Sequence, residues 1–194
     1  TPVLFIPVVG NVLAPLAGGA LGAGPWAAAQ FGVGVLLWPL VLALLLVRIA
    51  TQGLWPAPML PATFISVTPP ALIGSGVLQL GGSPTLAWMC WGVALLFLLW
   101  SGSLGRRILA QPFAIGFWAI GFPLAAFAAL TLRLATAVPA VQPLAMVTLA
   151  LATLAVLLLA LSSWKGWQQG SLLGPDAPAV GLSVSATRSS AGDR

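Results

Sequence analysis

The chain has no histidine, no tyrosine and no glutamate, and its two acids, Asp176 and Asp193, both stand close to the C-terminus. Ahead of Asp176 there is therefore no imidazole and no carboxylate. A general base cannot be assembled there, and metal ligation loses its commonest oxygen and nitrogen donors. A membrane-embedded enzyme would need such groups. Thr63, Ser162 and Ser163 offer hydroxyls with no base to activate them, so the sequence predicts a non-enzyme without metal or organic cofactor. The lone cysteine, Cys90, excludes an intrachain disulfide and, inside an apolar run, reads as a small core residue. Charge is scarce as well: 5% of 194 residues are charged and 60% are hydrophobic, where a soluble domain has about a quarter charged. No water-soluble core could hide that much apolar surface, so the solvent is a lipid bilayer. The net charge of +5 would suggest nucleic acid in a soluble chain. Here the basic residues sit at the ends of apolar runs and in the tail, a pattern of membrane topology, and no nucleic-acid partner is expected.

What the chain does have is long apolar runs. Six spans are predicted, at Pro2–Leu21, Trp26–Val47, Met59–Leu80, Pro84–Leu104, Pro112–Thr136 and Val141–Ser163. Each is close to the roughly 20 residues that cross a hydrocarbon core. Short Gly- and Pro-rich connections suit antiparallel neighbours. From residue 169 to 194 the composition turns to Gly, Ser, Ala and Pro without apolar periodicity, which predicts a disordered tail. The chain opens on Thr1 and enters an apolar run at once, with no charged leader or cleavage site. The expectation is a C-terminal part of a longer protein. Arg48, Arg106, Arg107 and Lys165 follow the second, fourth and sixth spans and so share one side, which the positive-inside rule makes cytoplasmic, together with the C-terminus. Trp55, Trp100, Trp164 and Trp167 fit an interfacial belt on that side.

Odd and even spans differ in character. The first carries Pro7, Gly10, Asn11, Pro15 and Gly18, the third Thr63, Ser66, Thr68, Pro69, Pro70, Gly74 and Ser75, and the fifth Gly116, Gly121, Phe122 and Pro123. The even spans are plainer, as in VLLWPLVLALLLV. Backbone freed by Pro cannot be satisfied by lipid, so the odd spans belong inside and the even ones outside, as three inner/outer hairpins. In Gln111–Arg133, Pro123 has no N–H for the carbonyl of Ala119, and a kink is expected beside Phe122. A phenyl ring at that bend could plug a narrow pathway, or could be ordinary packing at a helix crossing. Pro69 and Pro70 would free the carbonyls of Ile65 and Ser66. The hydroxyls of Thr63 and Thr68, and that of Ser66, could then line a passage or repair the backbone. Asn11 reads as a pathway amide or, more commonly, as a helix–helix hydrogen bond. Arg133 lies eleven residues beyond Phe122, close to three turns at about 100° per residue, on one face with Trp118, Ala126 and Ala129. It could draw anions to the outer mouth or snorkel to headgroups.

Three stretches, FIPVVGNVLAPLAG, LPATFISVTPPALIGSG and FWAIGFPLAAFAALTL, resemble the tellurite-resistance/dicarboxylate transporter family, which includes bacterial TehA, fungal malate permeases and plant slow-type anion channels. The resemblance covers about Thr1 to Gln169. It implies an all-α membrane fold of ten helices in five pseudo-symmetric hairpins around a pore, often trimeric. This chain would hold the last six helices. It also implies that the pore-plugging phenylalanine is Phe122, between Gly121 and Pro123. The function implied is a cell-membrane channel or transporter for chloride, nitrate, tellurite or C4-dicarboxylates such as malate. A proton-coupled carrier is the alternative, although proton coupling generally uses Asp, Glu or His inside the membrane. External acidification should drive malate uptake in such a carrier and not in a passive pore. A non-conducting fragment with an open groove is the remaining reading.

Overall fold

A computed structural model of the protein describes residues 4–18 and 21–169. The described residues are helical throughout: α1 (Phe5–Gly18), α2 (Gly24–Gln52), α3 (Thr68–Gln79), α4 (Pro84–Ser103), α5 (Gly105–Leu109), α6 (Gly121–Ala137) and α7 (Gln142–Gln168), with 3₁₀ segments at Ala57–Val67, Ile115–Ile120 and Pro139–Val141. Five continuous helical stretches are long and apolar enough to cross a membrane: Gly24–Gln52, Ala57–Gln79, Pro84–Ser103, Ile115–Ala137 and Pro139–Gln168. The predicted first span is seen as helix only over the 14 residues of α1. Residues 2, 3, 19 and 20 of that span lie outside the described residues. The predicted tail, residues 169–194, lies outside the described residues except for Gln169.

The prolines act differently from simple kinks. Pro69 stands in the first turn of α3 and Pro123 in that of α6, and each helix continues a 3₁₀ segment. A proline there gives up an N–H that the first turn leaves unused, and its fixed φ suits the helix start. The predicted bends at Pro69-Pro70 and Pro123 thus take the form of a change of helix type. Runs of 3₁₀ beyond three or four residues are uncommon, yet Ala57–Val67 has 11. Pro58 and Pro61 deny it α-type donors. Thr63 Oγ1 donates to the Leu60 carbonyl at 2.8 Å and Ser66 Oγ to the Thr63 carbonyl at 2.6 Å. Gly22 and Gly81 take positive φ (69° and 74°) in the turns that reverse the chain after α1 and α3.

Burial sorts the helices by composition. In Ala57–Gln79, 89% of the most apolar stretch is buried, and in Ile115–Ala137 44%, against 11% in Gly24–Gln52, 22% in Pro84–Ser103 and 17% in Pro139–Gln168. The Leu- and Val-rich helices expose residues such as Leu36, Leu40, Leu151 and Leu158, which lipid can solvate. α1 packs along α2, α3 along α4 and α6 along α7, while α3 touches both α1 and α6. Helices approach closely at glycines. A Cβ on Gly34 would stand 3.0 Å from the Val12 backbone nitrogen, and one on Gly76 2.6 Å from the Phe31 ring. Across α4 and α6, Trp91 Nε1 donates to Thr131 Oγ1 at 2.9 Å, and that hydroxyl donates to the Phe127 carbonyl at 2.8 Å.

One end of the bundle is closed by Leu60, Phe64, Leu104, Ile108, Phe117 and Leu159, and beside them by Phe5, Leu45 and Trp55. Trp55 departs from the predicted belt. It is 5% exposed, beneath the Arg48 guanidinium at 5.1 Å, whereas Trp164 and Trp167 are exposed as the belt requires. Buried against Leu45 and Phe5, the indole is worth more as core than as an interfacial anchor.

Candidate anion pathway

Phe122 projects from the first turn of α6 and is 50% exposed. It lines a groove of about 280 Å³ together with Ile6 and Val9 of α1, Ile65 and Thr68 at the junction into α3, and Ala119 and Pro123 at the junction into α6. The three segments predicted to be inner thus converge on this ring. Both changes from 3₁₀ to α fall at the groove, and this coincidence decides which side chains reach it. In a 3₁₀ helix every third residue is aligned. Leu60, Thr63 and Ser66 form one buried stripe and Pro61, Phe64 and Val67 another, while Met59, Ala62 and Ile65, less buried, form the third, which runs on to Thr68. In the second junction Gly116, Ala119 and Phe122 align in the same way. Small residues therefore precede the Phe122 ring along its own stripe.

Thr63 and Ser66, predicted as pathway residues, lie on a different stripe and do not reach the groove. They border a small enclosed space of about 20 Å³ with Phe5, Leu45, Trp55 and Trp100, and their hydroxyls serve the carbonyls of their own helix. Pro69 and Pro70 are buried at the start of α3. Gly121 is buried against Val156 and Leu159 of α7. Pro15 is buried inside α1, and Pro7 is exposed in its first turn. Asn11 does not bridge helices: its Nδ2 donates to the Pro7 carbonyl at 2.9 Å within α1. Thr68, whose hydroxyl was expected with that of Thr63 to line a passage or repair the backbone, borders the groove with its Oγ1 buried.

Arg133 is half-buried near the far end of α6 and braces it to α3. Its guanidinium donates to Gln79 Oε1 at 2.9 Å and to the Ser75 carbonyl at 3.4 Å. A cation at the C-terminal turn of α3 is favourable for the helix dipole. The seven-residue spacing of Thr68 and Ser75 puts them on one face of α3, so the Arg133 end and the Phe122 groove lie along the same side of that helix. Trp118 does not share this side. Its Nε1 donates to Ser163 Oγ of α7 at 2.9 Å, because the α-helical count fails across a 3₁₀ segment.

The sequence was compared with known proteins. No curated protein and no solved structure matches the chain. A protein-family model does match, over residues 1–164, and its description is voltage-dependent anion channel. That match spans α1 through most of α7, including the Phe122 groove and Arg133. An all-helical membrane protein with buried proline-bearing helices, and no acid before Asp176, agrees with it. The chain belongs to the voltage-dependent anion channel family.

Proposed function

We propose that this protein carries small anions across a membrane along the groove between α1, α3 and α6, and that Phe122 is the stopper of that path. The observation that carries the reading is the half-exposed Phe122 ring in a groove to which all three of those segments contribute. Charge chemistry supports it. No helix contains a carboxylate, so a cation would meet no counter-charge, while cation pathways use acidic rings. An anion meets apolar walls without a like charge in the groove and, at the outer end, Arg133.

The candidate permeants are chloride, nitrate, tellurite and C4-dicarboxylates such as malate. In the assembled protein we place three inner/outer hairpins of this chain in a ten-helix, pseudo-fivefold ring, in a homotrimer. The ring sits in the cell's inner membrane with the C-terminus cytoplasmic. Pro7, Asn11, Pro15, Thr63, Ser66, Pro69, Pro70, Gly121 and Pro123 then shape the inner helices, and Phe122 alone obstructs the axis.

The test is flux from liposomes holding the purified protein, with chloride, nitrate and malate measured separately. Removing an apolar obstruction should raise flux, so Phe122→Ala is expected to gain on the order of tenfold over wild type. Equal flux for the two proteins removes Phe122 from the pathway.

A further inference from the structure

A second groove, of about 340 Å³, lies where the chain passes from α5 toward α6 and meets the later turns of α7. Phe113, Phe117 and Ile120 of that passage wall one side, and Ala155 and Leu158 of α7 the other. These walls are apolar. The two polar side chains of the lining, Gln111 and Ser162, come at the outset of the passage and furthest along α7, beside Leu109, the last residue of α5. The groove is thus polar toward the helix end and apolar toward the middle of α7. From Ser162 to Ala155 it follows α7 for about 10 Å.

Two cations stand just beyond the polar end. Lys165 follows Ser162 by three residues and Leu158 by seven, so all three share a face of α7. Arg106 precedes Leu109 by three residues, one turn of α5. Both cations are exposed, and no acid occurs among the described residues to pair with them. Arg48, at the same end in the sequence pattern, is engaged elsewhere, over the Trp55 ring and on the Gly53 carbonyl. An apolar groove that opens onto positive charge matches the two parts of an acidic phospholipid.

We infer that this groove holds an acyl chain of an anionic phospholipid, with Gln111 and Ser162 at its ester groups and Arg106 and Lys165 on its phosphate. The inference needs only the membrane setting and not the anion path. Lipid tails are as apolar as leucine, so the groove by itself does not distinguish one lipid from another. The headgroup decides, because basic residues at a helix end attract acidic lipid and screening confines that attraction to short range. Cations from two elements that meet at one groove act on a single headgroup. The bound lipid fills the gap between the α5–α6 passage and α7, and so stabilises the fold.

The test is thermal unfolding of the detergent-solubilised protein with added phosphatidylglycerol or phosphatidylcholine of identical chains. Phosphatidylglycerol should raise the melting temperature of the wild type by several degrees more than phosphatidylcholine. The double variant Arg106→Gln/Lys165→Gln should lose that difference, as should Ala155→Phe, which fills the apolar part. Arg48→Gln, whatever its own melting temperature, should keep it. Equal shifts with the two lipids in the wild type overturn the site and require no variant. A difference lost equally in Arg48→Gln overturns it too, since that is diffuse attraction by the whole end of the bundle. The same holds for a shift reproduced by soluble glycerol phosphate, which has no acyl chain. If Ala155→Phe dissociates an oligomer and the two lipids act alike, a second copy fills the groove and the inference falls.

Discussion

Among the described residues, Arg133 is the one basic residue that sits between helices and away from the end where Arg48, Arg106, Arg107 and Lys165 gather in the sequence pattern. Every acid in the chain lies outside the described residues, so its bonds go to a neutral amide oxygen and a backbone carbonyl. Its positive charge is therefore not neutralised by those partners. We predict that Arg133→Gln lowers chloride flux about two- to fivefold at low salt, as expected when one charge is removed from an anion's approach. The deficit should shrink at high salt, since the Debye length falls from about 10 Å at 0.1 M to about 3 Å at 1 M. Flux and selectivity identical to wild type at low salt would leave Arg133 as a brace between α6 and α3 and nothing more. Residue-level reading went only part of the way here. The disturbed helix beside Phe122 was legible because Gly and Pro flank an aromatic in an apolar span. The engagement of Arg133 by Gln79 was not, because the two are far apart in the chain.

At the scale of elements, the inner helices owe their geometry to where they change type. Counting about 100° per residue back from Phe122 placed Trp118 on the same face. Ile115–Ile120 is a 3₁₀ segment, which turns about 120° per residue, and the indole instead reaches Ser163. The same shift moved Thr63 and Ser66 away from the groove and brought Thr68 to it. Prolines at 58, 61, 69 and 70 signalled a disturbed helix, but composition does not say which periodicity results. Close helix contacts were equally hidden. Gly18 packs on Ala27 of α2, while Gly22 forms the turn. At Gly34 a Cβ would meet the Val12 backbone as well as its side chain. Backbone cannot move aside as a side chain can, so Gly34→Ala should destabilise the protein by about 1–3 kcal/mol. Thermal unfolding in detergent reads this directly, and Gly92→Ala, where a Cβ meets nothing within 4 Å, is the control expected to melt like wild type.

For the whole molecule, the ordering of burial from Ala57–Gln79 down to Gly24–Gln52 was legible in the sequence, because it follows from one physical rule. Backbone without a partner must be shielded from lipid, whereas leucine and valine need no shielding. The absence of His, Glu and Asp from every described helix has a consequence at this scale. Chloride and nitrate keep their charge over the range where those side chains titrate, so passive flux of either should be flat from about pH 7 to pH 4. Acid-driven uptake of these ions into liposomes would point to proton coupling and to a titrating group beyond the described residues. Composition and the order of plain and proline-bearing runs sufficed to establish a membrane protein, its helices, its family resemblance and Phe122 as the residue to watch, because lipid imposes strict and local demands on what may face it. What holds Arg133 and where helices touch were settled by folding alone. Those properties depend on rotational phase and on contacts between segments distant in the chain, and neither is encoded in any single run.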